Sequence, residues 1–335
     1  MVDFITLGIE SSCDETSVAV IINGNKVASN IITSQLELHA RFGGVVPEIA
    51  ARCHLESILP VYRLALEHAG IDIEAVNLIA VTYGPGLVGC LLVGLSFAKG
   101  LALARKIPII GVNHVEGHIY ANILERPQIK PPLLCLTVSG GHTDLLFMEH
   151  WGKYRILGRT RDDAAGEAFD KVARVLGLPY PGGPAIDQIA RGITGDLTFA
   201  QMKGLTNSYD FSFSGLKTAV INYLNRERQL NQEIDIPRIA ASFQKMVVEQ
   251  LVEKLIQAAT DLQVDTILLS GGVAANTYLR ARCLQEASRL GKQIYYPELS
   301  LCTDNAAMIG AAGYFRYLAD GPADLTITAQ PDLRL

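Results

Sequence analysis

Apolar and polar positions along the chain repeat one design twice. Leu7 to Ile22 runs apolar, passes through the polar turn Glu10-Ser11-Ser12-Cys13-Asp14-Glu15-Thr16, and turns apolar again. Leu133 to Met148 does the same around Ser139-Gly140-Gly141-His142-Thr143-Asp144. Each pattern predicts a β-hairpin whose small turn residues let a ligand approach the backbone. A third small-residue turn, Ser270-Gly271-Gly272, follows a predicted strand over Thr266 to Leu269 and opens a helix at about Ala274. Between these, strands over Leu78 to Thr82 and Ile107 to Val112 alternate with helices over Leu87 to Ala104 and from His114. Pro47 fits the start of a helix over Glu48 to His68, with Gly70 as its stop and Pro60 as a kink. Asp162-Asp163 is the expected start of a helix ending at Gly177, and Asp304 that of a last helix to about Leu318. Mixed sheets flanked by helices, built twice, form the implied α/β architecture. The Pro-rich stretch Arg126 to Pro132 divides its halves.

Composition narrows the class. A chain of 335 residues favours two domains, and 49% hydrophobic against 19% charged residues supplies large cores. Disorder, collagen and coiled coil are excluded. A net charge of −5 argues against broad, charge-driven nucleic-acid binding but leaves room for a local basic patch. The cysteines Cys13, Cys53, Cys90, Cys135, Cys283 and Cys302 form no C-x-x-C pair, as expected of reduced thiols. Asp3, Glu10 and Asp14 stand where a secretory signal would be basic and then apolar. The most membrane-like stretch, Leu87 to Ala104, is interrupted by Ser96 and Lys99. A soluble, cytoplasmic protein without a membrane partner is expected.

The sharpest candidate chemistry is His114-Val115-Glu116-Gly117-His118. Residues four apart share a helix face, so both imidazoles can reach one cation. Two ordinary histidines, one capping a helix and one half-buried, would give the same spacing. The zincin motif H-E-x-x-H is absent, because Glu116 is two positions past the first histidine and points roughly 200° round the helix. Gly84-Pro85-Gly86-Leu87-Val88-Gly89 matches G-x-G-x-x-G, but the next strand ends in Asn113-His114 without the acid that a dinucleotide ribose needs. Close helix–sheet packing, with possible backbone contact to a substrate, is the better reading. No Walker A sequence occurs. The glycine turns at 139–141 and 271–272, and Pro181-Gly182-Gly183-Pro184 before a helix carrying Asp187, together suit a nucleotide-like anion. Asp170, Asp187 and Asp304 lie close to these loops; a solvated helix face for the first two and a plain N-cap for the third are the competing explanations.

These segments occur in an order that resembles one family. Gly8-Ile9-Glu10-Ser11-Ser12-Cys13-Asp14-Glu15-Thr16-Ser17, Gly43-Gly44-Val45-Val46-Pro47-Glu48, Asn113 to His118 and Val138-Ser139-Gly140-Gly141-His142-Thr143 come first. Phe211-Ser212-Phe213-Ser214-Gly215-Leu216-Lys217, Ser270-Gly271-Gly272-Val273-Ala274-Ala275-Asn276 and Cys302-Thr303-Asp304-Asn305-Ala306 follow. The chain resembles the bacterial tRNA N6-adenosine threonylcarbamoyltransferases, the TsaD family, almost from end to end.

The resemblance implies the two-lobed actin/Hsp70/sugar-kinase-like fold, with a cleft between lobes. The first lobe would span 1–126, completed by about 301–335, and the second 127–300. It implies transfer of a threonylcarbamoyl group from threonylcarbamoyl-adenylate to N6 of adenosine 37, in tRNAs reading codons that begin with adenine. One divalent metal, iron favoured over zinc, would sit on His114, His118 and Asp304. Thr137, Val138, Ser139, Gly140, Gly141, Asp170, Gly183, Asp187 and Asn276 would bind the adenylate, with ATP or AMP as other occupants. Asp14 or Glu15 is the candidate base or orienting group, and backbone N–H groups at Gly141 and Gly272 are candidates for the phosphate. The implied partners are tRNA, a TsaB-like paralogue docking on Glu48 to His68 and Leu87 to Ala104, and a TsaE-like ATPase; a homodimer is the alternative without them. Arg159, Arg161, Lys171, Arg174, Lys217, Arg226 and Arg228 are candidates for a local tRNA path. Three rivals compete: a small-molecule kinase independent of the histidines, a metallopeptidase, and a non-catalytic scaffold.

Overall fold

Both expected hairpins form in the computed structural model, which describes residues 3–124, 126–199 and 208–335. The chain divides into two units: Met1–Pro131 with His150–Lys153 and Pro297–Leu335, and Pro132–Glu149 with Tyr154–Tyr296. The first unit opens with β1 (Ile5–Glu10), β2 (Glu15–Ile22), β3 (Lys26–Ser34), the short α1 (Leu36–Ala40) and α2 (Pro47–Ala69). It continues through β4 (Leu78–Gly84), α3 (Val88–Arg105), β5 (Ile109–Asn113) and α4 (His114–Tyr120). Its sheet order is β3-β2-β1-β4-β5, antiparallel through the first three strands and parallel from β1 to β5. Leu7, Ile9, Ile79 and Val81 form one core with Ile58 and Val61 of α2 and Leu95 and Ala98 of α3. Pro47 starts α2 and Gly70, at φ 65°, stops it in the left-handed conformation that glycine adopts without strain.

The second unit repeats the plan. Its elements are β6 (Leu133–Val138), β7 (Thr143–His150), β8 (Lys153–Arg159), α5 (Ala165–Val175), α6 (Gly182–Ala190) and α7 (Ser214–Gln229). Then come α8 (Ile236–Asp261), β9 (Thr266–Ser270), α9 (Thr277–Arg289) and β10 (Gln293–Tyr295). The order β10-β9-β6-β7-β8 places the hairpin's first strand at the centre, with the later strands parallel to it, as in the first sheet. Phe243, Val247, Leu251 and Leu255 of α8 pack with Leu134, Leu136, Phe169 and Val172 in its core.

Two helix starts differ from expectation. Asp162 and Asp163 do not begin α5, which starts at Ala165. The Asp162 carboxylate instead accepts from the backbone N–H groups of Phe213 (2.8 Å) and Ser214 (3.2 Å), capping α7 from outside its own sequence. Asp163 pairs with Lys171 at 2.7 Å. After β9 a tight turn, Gly272–Ala275, intervenes, and α9 begins at Thr277 rather than Ala274. Asn276 decides this, because its side-chain oxygen accepts from the Leu279 N–H at 2.9 Å.

The chain then returns to the first unit as α10 (Ala306–Asp320), which packs on β1, β2, β4, β5 and α4. Small residues permit the close approach. A Cβ at Gly8 would lie 2.2 Å from the Ala306 carbonyl oxygen, and one at Gly313 would lie 2.3 Å from the Ala80 side chain. With both sheet faces covered, the strands read as almost continuous apolar runs. The glycines at 84–89 allow other close contacts: a Cβ at Gly84 would lie 2.0 Å from the Gln330 carbonyl oxygen, one at Gly86 2.7 Å from Ser12, and one at Gly89 3.1 Å from Ala51 of α2. Gly86 N–H donates to the Pro331 carbonyl at 3.1 Å and Leu87 N–H to that of Ser12 at 2.8 Å. The turn thus closes on its own chain. Among the described residues α3 alone is long and apolar enough to cross a membrane, yet Cys90, Leu91, Gly94, Leu95, Ala98 and Ala102 along it are buried.

Candidate metal centre and substrate loops

The metal-site candidate is assembled from three points in the first unit. Asn113 ends β5 and caps α4, accepting from Val115 N–H at 2.8 Å, so the next residue, His114, starts the helix and His118 lies one turn on. Before α10, Asn305 is the N-cap, accepting from Met308 N–H at 3.0 Å, while Ser17 Oγ accepts from Ala306 N–H at 2.9 Å. Asp304 is therefore not the plain cap that its position allowed. Its Oδ1 lies 3.4 Å from His114 Nε2 and 3.2 Å from His118 Nε2. One ligand atom from each residue falls within 4.8 Å of the others, the one such group among the described residues.

The donor set fits a divalent transition metal. Two imidazoles and one carboxylate leave coordination positions open, whereas magnesium and calcium prefer all-oxygen sites. His118 is buried, and its Nδ1 has no hydrogen-bond partner. Burial would lower the His114 value, but the carboxylates of Asp304 and Glu10 override it and hold the imidazole well above its ordinary range. Burial would likewise raise Asp304, yet His114, and then His118, hold it well below the usual carboxylate range. The pocket thus stabilises positive charge. Glu116, by contrast, pairs with Arg316 at 3.3 Å and is not one of the converging groups.

The β1–β2 turn lies in the same electrostatic neighbourhood. Burial, reinforced by the negative charges of Asp304 and Asp14, pushes Glu15 up to about 9. Its Oε1 accepts from the Ser34 hydroxyl at 3.0 Å. His54 pins the turn to α2, its Nδ1 2.7 Å from Thr16 Oγ1 and its Nε2 2.9 Å from the Cys13 carbonyl.

In the second unit the expected substrate residues gather around the ends of β6 and β9. Thr137 Oγ1 lies 2.8 Å from Ser270 Oγ across the parallel pair. Gly271, at φ 84°, passes so close to Val138 that a Cβ would lie 2.5 Å from its carbonyl oxygen. Ser139 N–H donates to the His142 carbonyl at 2.8 Å, leaving Gly140 and Gly141 exposed with open space at their Cβ positions. Asp170 accepts from Gly182 N–H at 2.7 Å. Burial raises its pKa, and the N–H groups of Gly182 and Gly183 offset part of that. Gly183 is the second residue of α6, again with open space at its Cβ position. Asp187 accepts from Thr277 Oγ1 at 2.8 Å, tying α6 to the start of α9. Asn276 Nδ2 donates to Gln244 Oε1 at 2.8 Å. Thr137, Asp187 and Asn276 are thus held by the scaffold itself. Of the basic candidates, Arg161 pairs with Asp210 at 2.9 Å and Lys171 with Asp163 and Glu167, while Arg226 and Arg228 stand exposed near the end of α7.

Sequence reasoning passed over Glu10, Thr82, Ser270 and Thr277. Glu10 carried a signal: it is an ionisable residue closing an otherwise apolar strand. The hydroxyls carried none, because strand pairing brings Thr82 and Ser270 to their partners and helix packing brings Thr277 to Asp187.

A sequence model of the TsaD family, described as tRNA N6-adenosine threonylcarbamoyltransferase, matches residues 26–311. A relative of that name from Clostridium perfringens is 52% identical over 332 residues, covering 99% of this chain and 98% of its own. The chain belongs to the tRNA N6-adenosine threonylcarbamoyltransferase family. Solved structures agree on the fold alone. HypF from T. kodakarensis superposes with a TM-score of 0.64 at 13% identity, covering 95% of this chain and 48% of HypF. A ROK family glucokinase from Streptomyces griseus gives 0.50 at 12%, covering 92% and 98%. The expected actin/Hsp70/sugar-kinase-like class therefore holds. So does the activity of this threonylcarbamoyltransferase family, modification of N6 of adenosine 37 in tRNA, in place of the kinase, metallopeptidase and scaffold alternatives.

Proposed function

We propose that His114, His118 and Asp304 hold one divalent metal, iron in preference to zinc, and that the second unit's loops hold the adenylate of a threonylcarbamoyl-adenylate donor. The observation that carries this reading is the convergence of one ligand atom from each of the three side chains within 4.8 Å, with both histidines buried. A two-histidine, one-carboxylate set with open positions suits ferrous iron. When bound, the metal would act as a Lewis acid, polarising the carbamoyl oxygen or holding the threonyl carboxylate.

The chain's own residues do the remaining work. The N6 amine attacks the carbamoyl carbon, the bond to the phosphate oxygen breaks, AMP leaves, and the N6 proton must be accepted. AMP is already a good leaving group, so orientation of the weakly nucleophilic amine is the main task. Glu15, pushed up to about 9, holds its proton at neutral pH in the metal-free chain and there serves as a hydrogen-bond donor. This favours Asp14 over Glu15 as the orienting group or base. Gly140 and Gly141 supply exposed backbone next to Thr137, Val138 and Ser139, and Gly272 follows Gly271 at the facing turn. Asp170, Gly183, Asp187 and Asn276 complete the adenylate set, which ATP or AMP would also fit.

The functional lobes are 1–126 with about 301–335, and 127–300. Exposed Leu55 and Leu59 on α2 and Val88 and Leu92 on α3 support docking of a TsaB-like paralogue, with a homodimer in its absence. A TsaE-like ATPase and a cytoplasmic location complete the reading. The test is mass spectrometry of nucleosides from unmodified, A-decoding tRNA incubated with threonylcarbamoyl-adenylate and this protein, with and without TsaB- and TsaE-like partners. Threonylcarbamoyladenosine with the intact protein, and none with His114→Ala, is expected. Undiminished product from His114→Ala would overturn the metal assignment, and none from any arm would overturn the donor.

A further inference from the structure

Glu10 ends β1 with no solvent exposure, and every contact of its carboxylate is a donor. Oε1 accepts from Ser12 N–H at 2.5 Å. Oε2 accepts from Thr82 Oγ1 on β4 at 2.7 Å and lies 2.9 Å from His114 Nδ1. The Ser12 hydroxyl lies 3.1 Å from the same nitrogen. With Nδ1 directed at Glu10, the opposite nitrogen, Nε2, faces Asp304. His118 has no equivalent support, since its Nδ1 is buried without a hydrogen-bond partner.

We infer that Glu10 is the positioning residue of the metal centre: it fixes the ring orientation and tautomer of His114 and, through its charge, strengthens that imidazole as a ligand. The inference rests on the metal assignment above. A carboxylate behind a ligating histidine sets which nitrogen is free and makes it more basic. Glutamine cannot replace it, because one amide oxygen cannot serve three donors and its NH2 group would face a donor. The two ligands are therefore unequal, with His114 preset and His118 held by packing.

The test uses the metal-free full chain and cobalt(II) as the probe, titrated against a competing chelator, with the visible ligand-field spectrum as a second readout. Glu10→Gln is expected to weaken cobalt binding by about 10- to 100-fold and to alter the spectrum, while circular dichroism confirms the fold. His118→Ala is expected to lose binding altogether. Wild-type affinity and spectrum in a folded Glu10→Gln would overturn the role of Glu10 and leave the metal site standing. No cobalt uptake by the wild-type chain would overturn the metal assignment, and this role with it. If Glu10→Gln does not fold, Thr82→Val decides: it keeps the carboxylate but removes one of its anchors. A loss of about threefold or more supports the inference, and an unchanged affinity overturns it.

Discussion

Gly8→Ala should loosen the proposed metal centre without touching any of its three side chains. Gly8 lies mid-strand between Ala19 of β2 and Ala80 of β4, facing α10. The new Cβ would stand 2.2 Å from the Ala306 carbonyl oxygen and 2.8 Å from Gly310 N. A carbon in contact with a carbonyl oxygen needs about 3.3 Å, so strand and helix must part by about 1 Å. Both clashing groups are backbone, and no rotamer relieves them. Overpacking of this kind costs about 1–3 kcal/mol. Alanine recovers about 0.5–1 kcal/mol through its smaller loss of chain entropy. A net loss of about 1–2 kcal/mol should lower the melting temperature by about 2–4 °C for each kcal/mol. Asp304 lies two residues before Ala306, so the helix start carries that proposed ligand with it. Metal distances tolerate only about 0.2 Å, and cobalt affinity should fall by at least about tenfold. Thermal melts of the metal-free chain and a cobalt titration read the two effects. A variant with wild-type melting and affinity would refute the packing argument.

Asn305→Ala removes the cap of the same helix and should cost about 1 kcal/mol in thermal melts, with weaker cobalt binding alongside. Arg282 grips Glu249 at 2.7 and 2.9 Å and holds its carboxyl below the ordinary 4.5. A lowered acid contributes stability above its unfolded value and loses it as pH falls through the folded one. The melting gap between wild type and Arg282→Gln should therefore be full at neutral pH and shrink as pH falls below the ordinary 4.5. A gap unchanged into acid would refute the pair's role. Leu55→Asp with Leu92→Asp should shift stability by no more than about 0.5 kcal/mol per site while abolishing co-sedimentation with a TsaB-like partner. Retained association would move that interface elsewhere.

Elements set by local pattern were legible in the sequence, while those set by competition or by distant partners were not. Alternating apolar runs and small turns gave both hairpins, and Pro47 and Gly70 gave both ends of α2. Asp162 misled because an aspartate before a helical stretch looks like a cap. It does cap a helix, but α7, some fifty residues on. Asp304 and Asn305 are both good caps, and the choice depends on the histidines that Asp304 faces. The i, i+4 histidines were visible from spacing alone. Glu10 needed β1 beside β4, and β4 beside β5, before its tie to Thr82 and His114 could be seen.

The first unit is discontinuous, and that sets a schedule for biosynthesis. Its sheet comes from the first third of the chain, whereas α10 and Asp304 lie among the last thirty-odd residues. As the ribosome delivers the chain from its N-terminus, β1, β2, β4 and β5 present a face of small and apolar residues that α10, which begins at Ala306, covers only after the whole second unit has been made. A nascent chain at that stage holds both histidines but not the aspartate. A chain that stops before Asp304 lacks both the carboxylate proposed as third ligand and the helix that closes its sheet.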